Sequence, residues 1–259
     1  LDDTQAAYAK VMMDEIFGRD NYIVTITVEA ATPSSFKTVN TGPTEVSQFL
    51  IFYAKNKERF EFQPQYAYSK NVDLGHFSRF VVNYEASPEE WKFKNIKQHV
   101  MDELSIPPAD HPATRYKHAK EKLGEGFQEI ITAKANAFAL ENAYRVFEPK
   151  TLQKPAKWLA PKIEESRQVE HPVELTRNGY DRLILLKGRQ MYFLSGSVRK
   201  KDGKNYISKP VSTIWNDIPT NNLQNEGNVS FPSGKKPEML LERIISMISK
   251  SEGDIVLDS

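Results

Sequence analysis

Five basic side chains crowd one short stretch, Arg199, Lys200, Lys201, Lys204 and Lys209, with Asp202 the one acid among them. Lys and Arg at that density suit the phosphates of a nucleic acid, which accept charge-assisted hydrogen bonds from them. They suit bulk water equally well, so the cluster admits two readings, a solvated tip or a phosphate grip. The aromatic residues between Phe60 and Phe93, among them Phe62, Tyr66, Tyr68, Phe80, Tyr84 and Trp91, form a second candidate surface. Such rings can stack on an extruded base; the plainer expectation is that most of them fill the core of a β-rich domain.

Other chemistries are excluded by residue type and spacing. Zero cysteines remove disulfides, thiolate nucleophiles and Cys-based zinc sites. His76, His99, His111, His118 and His171 lack metal-ligand spacing. Ser195-Gly196-Ser197 is not a Gly-x-Ser-x-Gly elbow, and Ile106-Pro107-Pro108-Ala109 reads as a Pro-Pro turn. Glu89-Glu90 and Glu164-Glu165 sit in polar surroundings, the pattern of solvated charge. Lys and Arg total 35 against 34 Asp and Glu, a net charge of +1, so any nucleic-acid binding must come from local patches. No apolar run approaches the ~20 residues that span a bilayer, and no secretory leader is recognisable. No membrane partner is expected, and the cytoplasm is the expected location.

The elements that must position these residues read as follows. A helix near the start carries Tyr8, Val11, Met12 and Ile16 as its apolar face and closes at Gly18. Tyr22 to Val28 alternates and is rich in β-branched residues, which predicts a strand. Residues 31–43 read as a loop and Gln48 to Tyr53 as a second strand. From Ala113 to Phe147 the pattern is helical, with Arg115, Lys117, Lys120 and Lys122 as a basic crowd that reads as a solvated face or, on a DNA-binding domain, as a face along phosphates. A helix is expected near Ile163. Arg182 to Leu194 reads as a hairpin about Gly188-Arg189, and a second hairpin turns at Asp202-Gly203 with Val198 and Tyr206 on its arms. Pro237 suits the first turn of a helix; Met239, Leu240, Leu241, Ile244, Ile245 and Ile248 supply that helix's apolar face. Ile255-Val256-Leu257 then reads as a short strand covered on both faces in a parallel sheet.

Gly234-Lys235-Lys236-Pro237-Glu238-Met239-Leu240-Leu241 followed by Asp254-Ile255-Val256-Leu257-Asp258-Ser259 resembles the β-class amino-DNA methyltransferases, especially the modification subunits of type III restriction systems. Asp2-Asp3, Met13 to Gly18, Thr44-Glu45 leading into Phe52 to Asn56, and Thr213 to Ile218 are similar to further segments of that family. One departure is Val28, where many members carry Trp.

The resemblance implies an α/β fold with an α+β insert, in which partial Rossmann-like methyltransferase core segments flank a mixed α+β target recognition domain. The expected domains are 1–58 for the core segment after the catalytic motif, 59–222 for target recognition, and 223–259 for the motif X helix and the first strand of the cofactor-binding half. It further implies S-adenosylmethionine as cofactor, with Lys236, Pro237 and Asp258 near it, and Lys236 as the contact to a carboxylate. Double-stranded DNA is the implied partner, gripped by Arg199, Lys200, Lys201 and Lys204. A homodimer and a restriction subunit are further partners of the family. The implied reaction moves a methyl group to the exocyclic amino group of a flipped base, adenine being the expected target. A stand-alone DNA-binding module or a subunit-interaction module without catalysis remains the alternative.

Because Ser259 falls where a ligand loop should begin, the sequence is expected to be a piece of a longer protein, carrying neither the family's Asp/Asn-Pro-Pro-Tyr/Trp tetrapeptide nor its Phe-x-Gly-x-Gly loop. No catalytic residue is therefore assigned. Methyl transfer depends on positioning two reactants within reach of each other. The polypeptide alone is expected to transfer no methyl group and to bind S-adenosylmethionine weakly or not at all. Calorimetry with the cofactor and a tritiated-methyl transfer assay on mixed-sequence DNA test this, and turnover well above a no-protein control overturns it.

Overall fold

The computed structural model describes residues 1–31, 42–176, 178–179, 181–219, 223–228, 234–249 and 253–257. In chain order the elements are α1 (Asp3–Phe17), β1 (Tyr22–Glu29), β2 (Ser47–Tyr53), β3 (Tyr66–Ser69), β4 (Arg79–Val81), β5 (Phe93–Asn95), α2 (Ile96–Glu103), α3 (Pro112–Leu123) and α4 (Phe127–Glu141). There follow β6 (Val146–Lys150), α5 (Ala160–Arg167), β7 (Val173–Leu175), β8 (Leu183–Leu186), β9 (Arg189–Phe193), β10 (Val198–Lys201), β11 (Lys204–Pro210), β12 (Ile214–Trp215) and α6 (Glu238–Ile248). The fold is mixed α and β. Two compact units form, one from residues 1–67 with 210–259 and the other from Tyr68 to Lys209.

In the first unit β1 is the central strand, with β2 antiparallel on one side and β12 parallel on the other. Its β-branched residues favour the extended backbone, and Ile26 and Val28 bury one face beneath Trp215, Leu240 and Met247. Helix α6 closes this layer. Arg243 donates from both terminal nitrogens to the Asp217 carboxylate at 2.8 and 2.7 Å and lies 5.0 Å over the Trp215 ring. That two-pronged geometry is the stronger form of a charged hydrogen bond, and it holds the Asp217 carboxyl below its usual range.

Several expectations are corrected in this unit. The apolar face assigned to α1 points outward, with Tyr8 79%, Val11 60%, Met12 55% and Ile16 64% exposed. A polar anchor selects the opposite face: Asp14 accepts from Lys10 at 2.6 Å and from the Tyr53 hydroxyl at 2.5 Å. Lys10 and Tyr53 together keep the Asp14 carboxyl below its usual range, and the small Ala6 and Ala9 share the half-buried side of the helix with Met13. On α6 the buried stripe is only Leu240, Ile244 and Met247, while Met239, Leu241, Ile245 and Ile248 remain partly exposed. Pro237 is the capping residue of α6, one position before the helix, because its ψ of 136° is extended.

Ile255, Val256 and Leu257 form no strand and are 87%, 51% and 92% exposed. Three apolar residues specify a strand only where a neighbouring strand takes their backbone hydrogen bonds; among the described residues none does. Most of the expected loop at 31–43, namely residues 32–41, lies outside the described residues, as do Asp258 and Ser259.

The second unit is built on a six-stranded sheet ordered β5-β4-β6-β9-β8-β7, and its pairings are antiparallel. Helices α2, α3 and α4 contribute Val100, Ala119, Ile131 and Ala135 to a core with Phe80 and Val146. Alanines at these positions let the helices approach closely without leaving voids. A second core holds Val81, Trp91, Phe147, Ile184 and Met191. Phe80 and Trp91 of the aromatic run are therefore core residues, whereas Phe62 of the first unit and Tyr68 are 49% and 39% exposed. Helix α5 forms about Ile163, which packs with Leu159 and Leu185.

Two details shift here as well. The β8–β9 turn is Lys187-Gly188, with φ of 49° and 77°, the two positive values of a type I′ turn. Arg115 leaves the basic crowd, since it is buried and donates to Asp102 and to the Ile106 carbonyl. Its charge is compensated inside the unit. Leu240→Ala is expected to destabilise the protein by about 2–5 kcal/mol in urea unfolding, the range for emptying a buried leucine site. Leu241→Ala, one residue on and largely exposed, is expected to cost under about 1 kcal/mol.

Candidate nucleic-acid interface

The basic cluster sits on a two-stranded ribbon whose geometry follows from its turn. Asp202 and Gly203 both adopt positive φ, 50° and 74°, which matches the right-handed twist of the flanking strands. The register pairs Val198 with Ile207, Arg199 with Tyr206, Lys200 with Asn205 and Lys201 with Lys204. Directly opposed residues share a face and successive residues alternate between faces. Val198 and Ile207 pack on the core of the second unit, and the Asn205 amide donates to the Leu140 carbonyl at 2.9 Å. Lys200 shares that inward side.

The outward side carries Arg199, Lys201, Lys204 and Tyr206. The ribbon extends to β3, giving the sheet order β10-β11-β3, and β3 adds Tyr68. The Tyr68 and Tyr206 rings meet edge to face at 6.1 Å, and the Lys201 ammonium lies 5.3 Å from the centre of the Tyr68 ring. A cation over an exposed ring is attracted to its negative face, so Lys201 is held over Tyr68 instead of ranging freely. Arg199, Lys200, Lys201 and Lys204 are all exposed. The four residues expected as one cluster are thus divided three to one between the two faces.

The pattern places Tyr206 on the hairpin arm but does not pair it with Tyr68 beside the basic tip. For Tyr206 the signal was its alternation with Lys204. For Tyr68 no local signal existed, because strand pairing between β3 and β11 brings it there.

The residues expected near a cofactor lie on the first unit. Pro237 is buried, and the Lys236 ammonium donates to the Gln48 side-chain oxygen on β2 at 3.0 Å. Since Pro237 has no capping side chain, Glu226 takes that role: its carboxylate accepts from the Glu238 N–H at 2.7 Å. A carboxylate there complements the positive end of the helix dipole. Lys235 donates to the Glu226 carbonyl at 2.5 Å, which fixes the approach to α6. An apolar cavity of about 510 Å³ opens in the same unit, with Met13, Phe49, Ile51 and Ile248 in its wall.

Residues 1–259 match the family model described as DNA methylase. The chain belongs to the DNA methylase family. It is similar to the probable type III restriction-modification enzyme HindVI Mod subunit of Haemophilus influenzae, with 28% identity over 271 residues. That alignment covers 99% of this chain and 35% of the relative, so the chain spans about a third of the relative's length. Among the described residues of this DNA methylase family member no helix is long and apolar enough to cross a membrane.

The ribbon depends on glycine at position 203, where φ is positive and a Cβ is disfavoured. Gly203→Ala is expected to cost about 1–2 kcal/mol and to raise amide exchange at 199–206. Hydrogen exchange read by mass spectrometry measures both the local opening and its confinement to the ribbon.

Proposed function

We propose that this chain is the target-recognition part, with flanking core segments, of a site-specific DNA adenine amino-methyltransferase of a restriction-modification system. The observation that carries the reading is the DNA methylase match along the whole chain. The 28% identity to a type III modification subunit supports the restriction-modification assignment. Residues 1–58 and 223–259 belong to a Rossmann-like methyltransferase core, and residues 59–222 form the recognition domain. S-adenosylmethionine is the methyl donor of the whole enzyme. Lys236, Pro237 and Asp258 are the residues near it, and the Lys236 ammonium, exposed and, among the described residues, donating to the neutral Gln48 amide oxygen, supplies the charge for the cofactor carboxylate. A restriction subunit and a second modification subunit are its protein partners, and the cytoplasm is its location.

Duplex DNA lies against the outward face of the β10–β11 ribbon. Arg199, Lys201 and Lys204 contact phosphates there, and Lys200 reaches the backbone from the rim. Such contacts position the protein without reading sequence. The double variant Lys201→Ala with Lys204→Ala is expected to weaken binding to all duplexes alike. Each lost phosphate contact should lower the slope of log affinity against log salt by about 0.9. Lys200→Ala, on the inward side, should have the smaller effect. Fluorescence anisotropy over a salt series measures it, and an unchanged slope in the double variant leaves the tip as solvated charge.

A further inference from the structure

A second polar surface of the Tyr68–Lys209 unit stands apart from the basic ribbon in sequence and in chemistry. Two cavities, of about 350 and 270 Å³, share Asn95 and Gln98 in their walls. Arg79, Phe93 and Lys94 complete the first, and Lys97, Asp110, Arg115 and Tyr116 are among those completing the second. The shared residues sit at the corner where β5 runs straight into α2, and β5 is the edge strand of the six-stranded sheet. Arg79 is opposite Asn95 in the β4–β5 register, so their side chains lie abreast on one face.

The hydrogen-bonding capacity of this corner is largely unspent. The Asn95 oxygen accepts from the Gln98 N–H at 3.2 Å and so caps α2, which leaves the Asn95 amide hydrogens available. Among the described residues the side chains of Arg79, Lys97 and Gln98 make no hydrogen bond or ion pair. By contrast Arg115 and Lys94 are committed: both donate to Asp102, Lys94 at 2.6 Å, and they hold its carboxyl below the usual range. The ion pairs thus occupy Lys94 and Arg115, one in the wall of each cavity, while Arg79, Asn95 and Gln98 keep polar groups open. Arg79 and Gln98 are exposed.

Arg, Asn and Gln are the side chains whose paired donors and acceptors match base edges, Arg to guanine and Asn or Gln to adenine. Lysine-rich ribbons grip phosphate; amide-rich corners flanked by one free guanidinium discriminate bases. We propose that the β5–α2 corner, through Arg79, Asn95 and Gln98, is a base-reading surface that sets which DNA sequence the chain selects. It rests on the DNA-binding function proposed above and adds to it the division of labour between affinity at the ribbon and sequence choice at the corner. Asp110, the uncompensated acid in the groove wall, disfavours phosphate there and suits an amino-group donor on a base.

The test selects bound duplexes from a pool randomised in sequence, using the full 259-residue chain, and sequences them. The wild type is expected to enrich a motif. Arg79→Ala and Gln98→Ala are each expected to relax one or two positions of that motif at least tenfold, while affinity for the unselected pool changes less than threefold and the salt slope stays the same. Lys201→Ala with Lys204→Ala shows the reverse pattern, weaker binding with the motif kept. Thermal melts of the two corner variants, both at exposed positions, check that they fold. A motif that both corner variants retain overturns the proposal, as does duplex binding by the wild type without any enriched motif; in either case the ribbon's role stands. Absence of wild-type binding to any duplex overturns the DNA-binding reading itself.

Discussion

The first unit depends on one strand being paired on both sides by distant parts of the chain. Strand β1 takes β2 antiparallel and β12 parallel, with Thr27 opposite Ile214 and Val28 opposite Trp215. A parallel neighbour cannot follow through a tight turn, and here the whole Tyr68–Lys209 unit is the connection. The chain's exit and return are fastened by backbone groups: Val211 N–H donates to the Gln65 carbonyl at 2.9 Å and Gln63 N–H to the Met247 carbonyl at 3.0 Å. The Gln65 amide adds a bond to the Ser246 carbonyl across 181 positions of sequence. Trp215, 1% exposed, is the keystone of this closure. Its indole N–H donates to the Ser212 carbonyl at 2.7 Å while its ring accepts the Arg243 guanidinium.

Polar anchors decide which faces of this unit look outward. Lys10, Asp14 and Tyr53 fix the rotation of α1, and the Asp217–Arg243 pair does the same for α6. Each leaves large apolar side chains in solvent, Val11 and Ile16 on one helix and Leu241 and Ile245 on the other. In both helices the inward side is the one that makes the charged hydrogen bonds. In the second unit Arg115 is likewise turned inward, its guanidinium donating to the partly exposed Asp102 and to the Ile106 carbonyl.

The two polar surfaces of the second unit differ in what they leave unspent. On the ribbon the exposed cations are mostly lysines, with Lys201 over Tyr68; a lysine ammonium is a compact point charge. At the β5–α2 corner the free groups are planar forks and amides, whose hydrogen bonds have direction. Non-directional charge and directional hydrogen bonding thus stand on separate surfaces of one unit of a DNA methylase family member.

Local chemistry in the sequence was enough to determine β1, β2, the β10–β11 hairpin, α6 and the helix about Ile163, because each is written in nearest-neighbour terms: β-branched alternation, an Asp-Gly turn, a helical apolar period; the β8–β9 hairpin was legible too, but its turn falls one residue earlier than expected, at Lys187-Gly188. The four basic residues of the ribbon tip were likewise legible, as was the family resemblance carried by Lys236-Pro237. What the sequence left undecided was orientation. Which side of α1 and α6 is buried and whether Tyr68 stands beside Tyr206 depend on partners far along the chain, and whether Arg115 is solvated depends on how α3 meets Asp102 and Ile106. The apolar run Ile255-Val256-Leu257 makes the point from the other side, since its composition favours a strand and none of the described residues pairs with it. Propensity and pattern act within a few residues, whereas facing, pairing and burial depend on apolar burial and on hydrogen bonds between separate segments, which only the tertiary structure brings together.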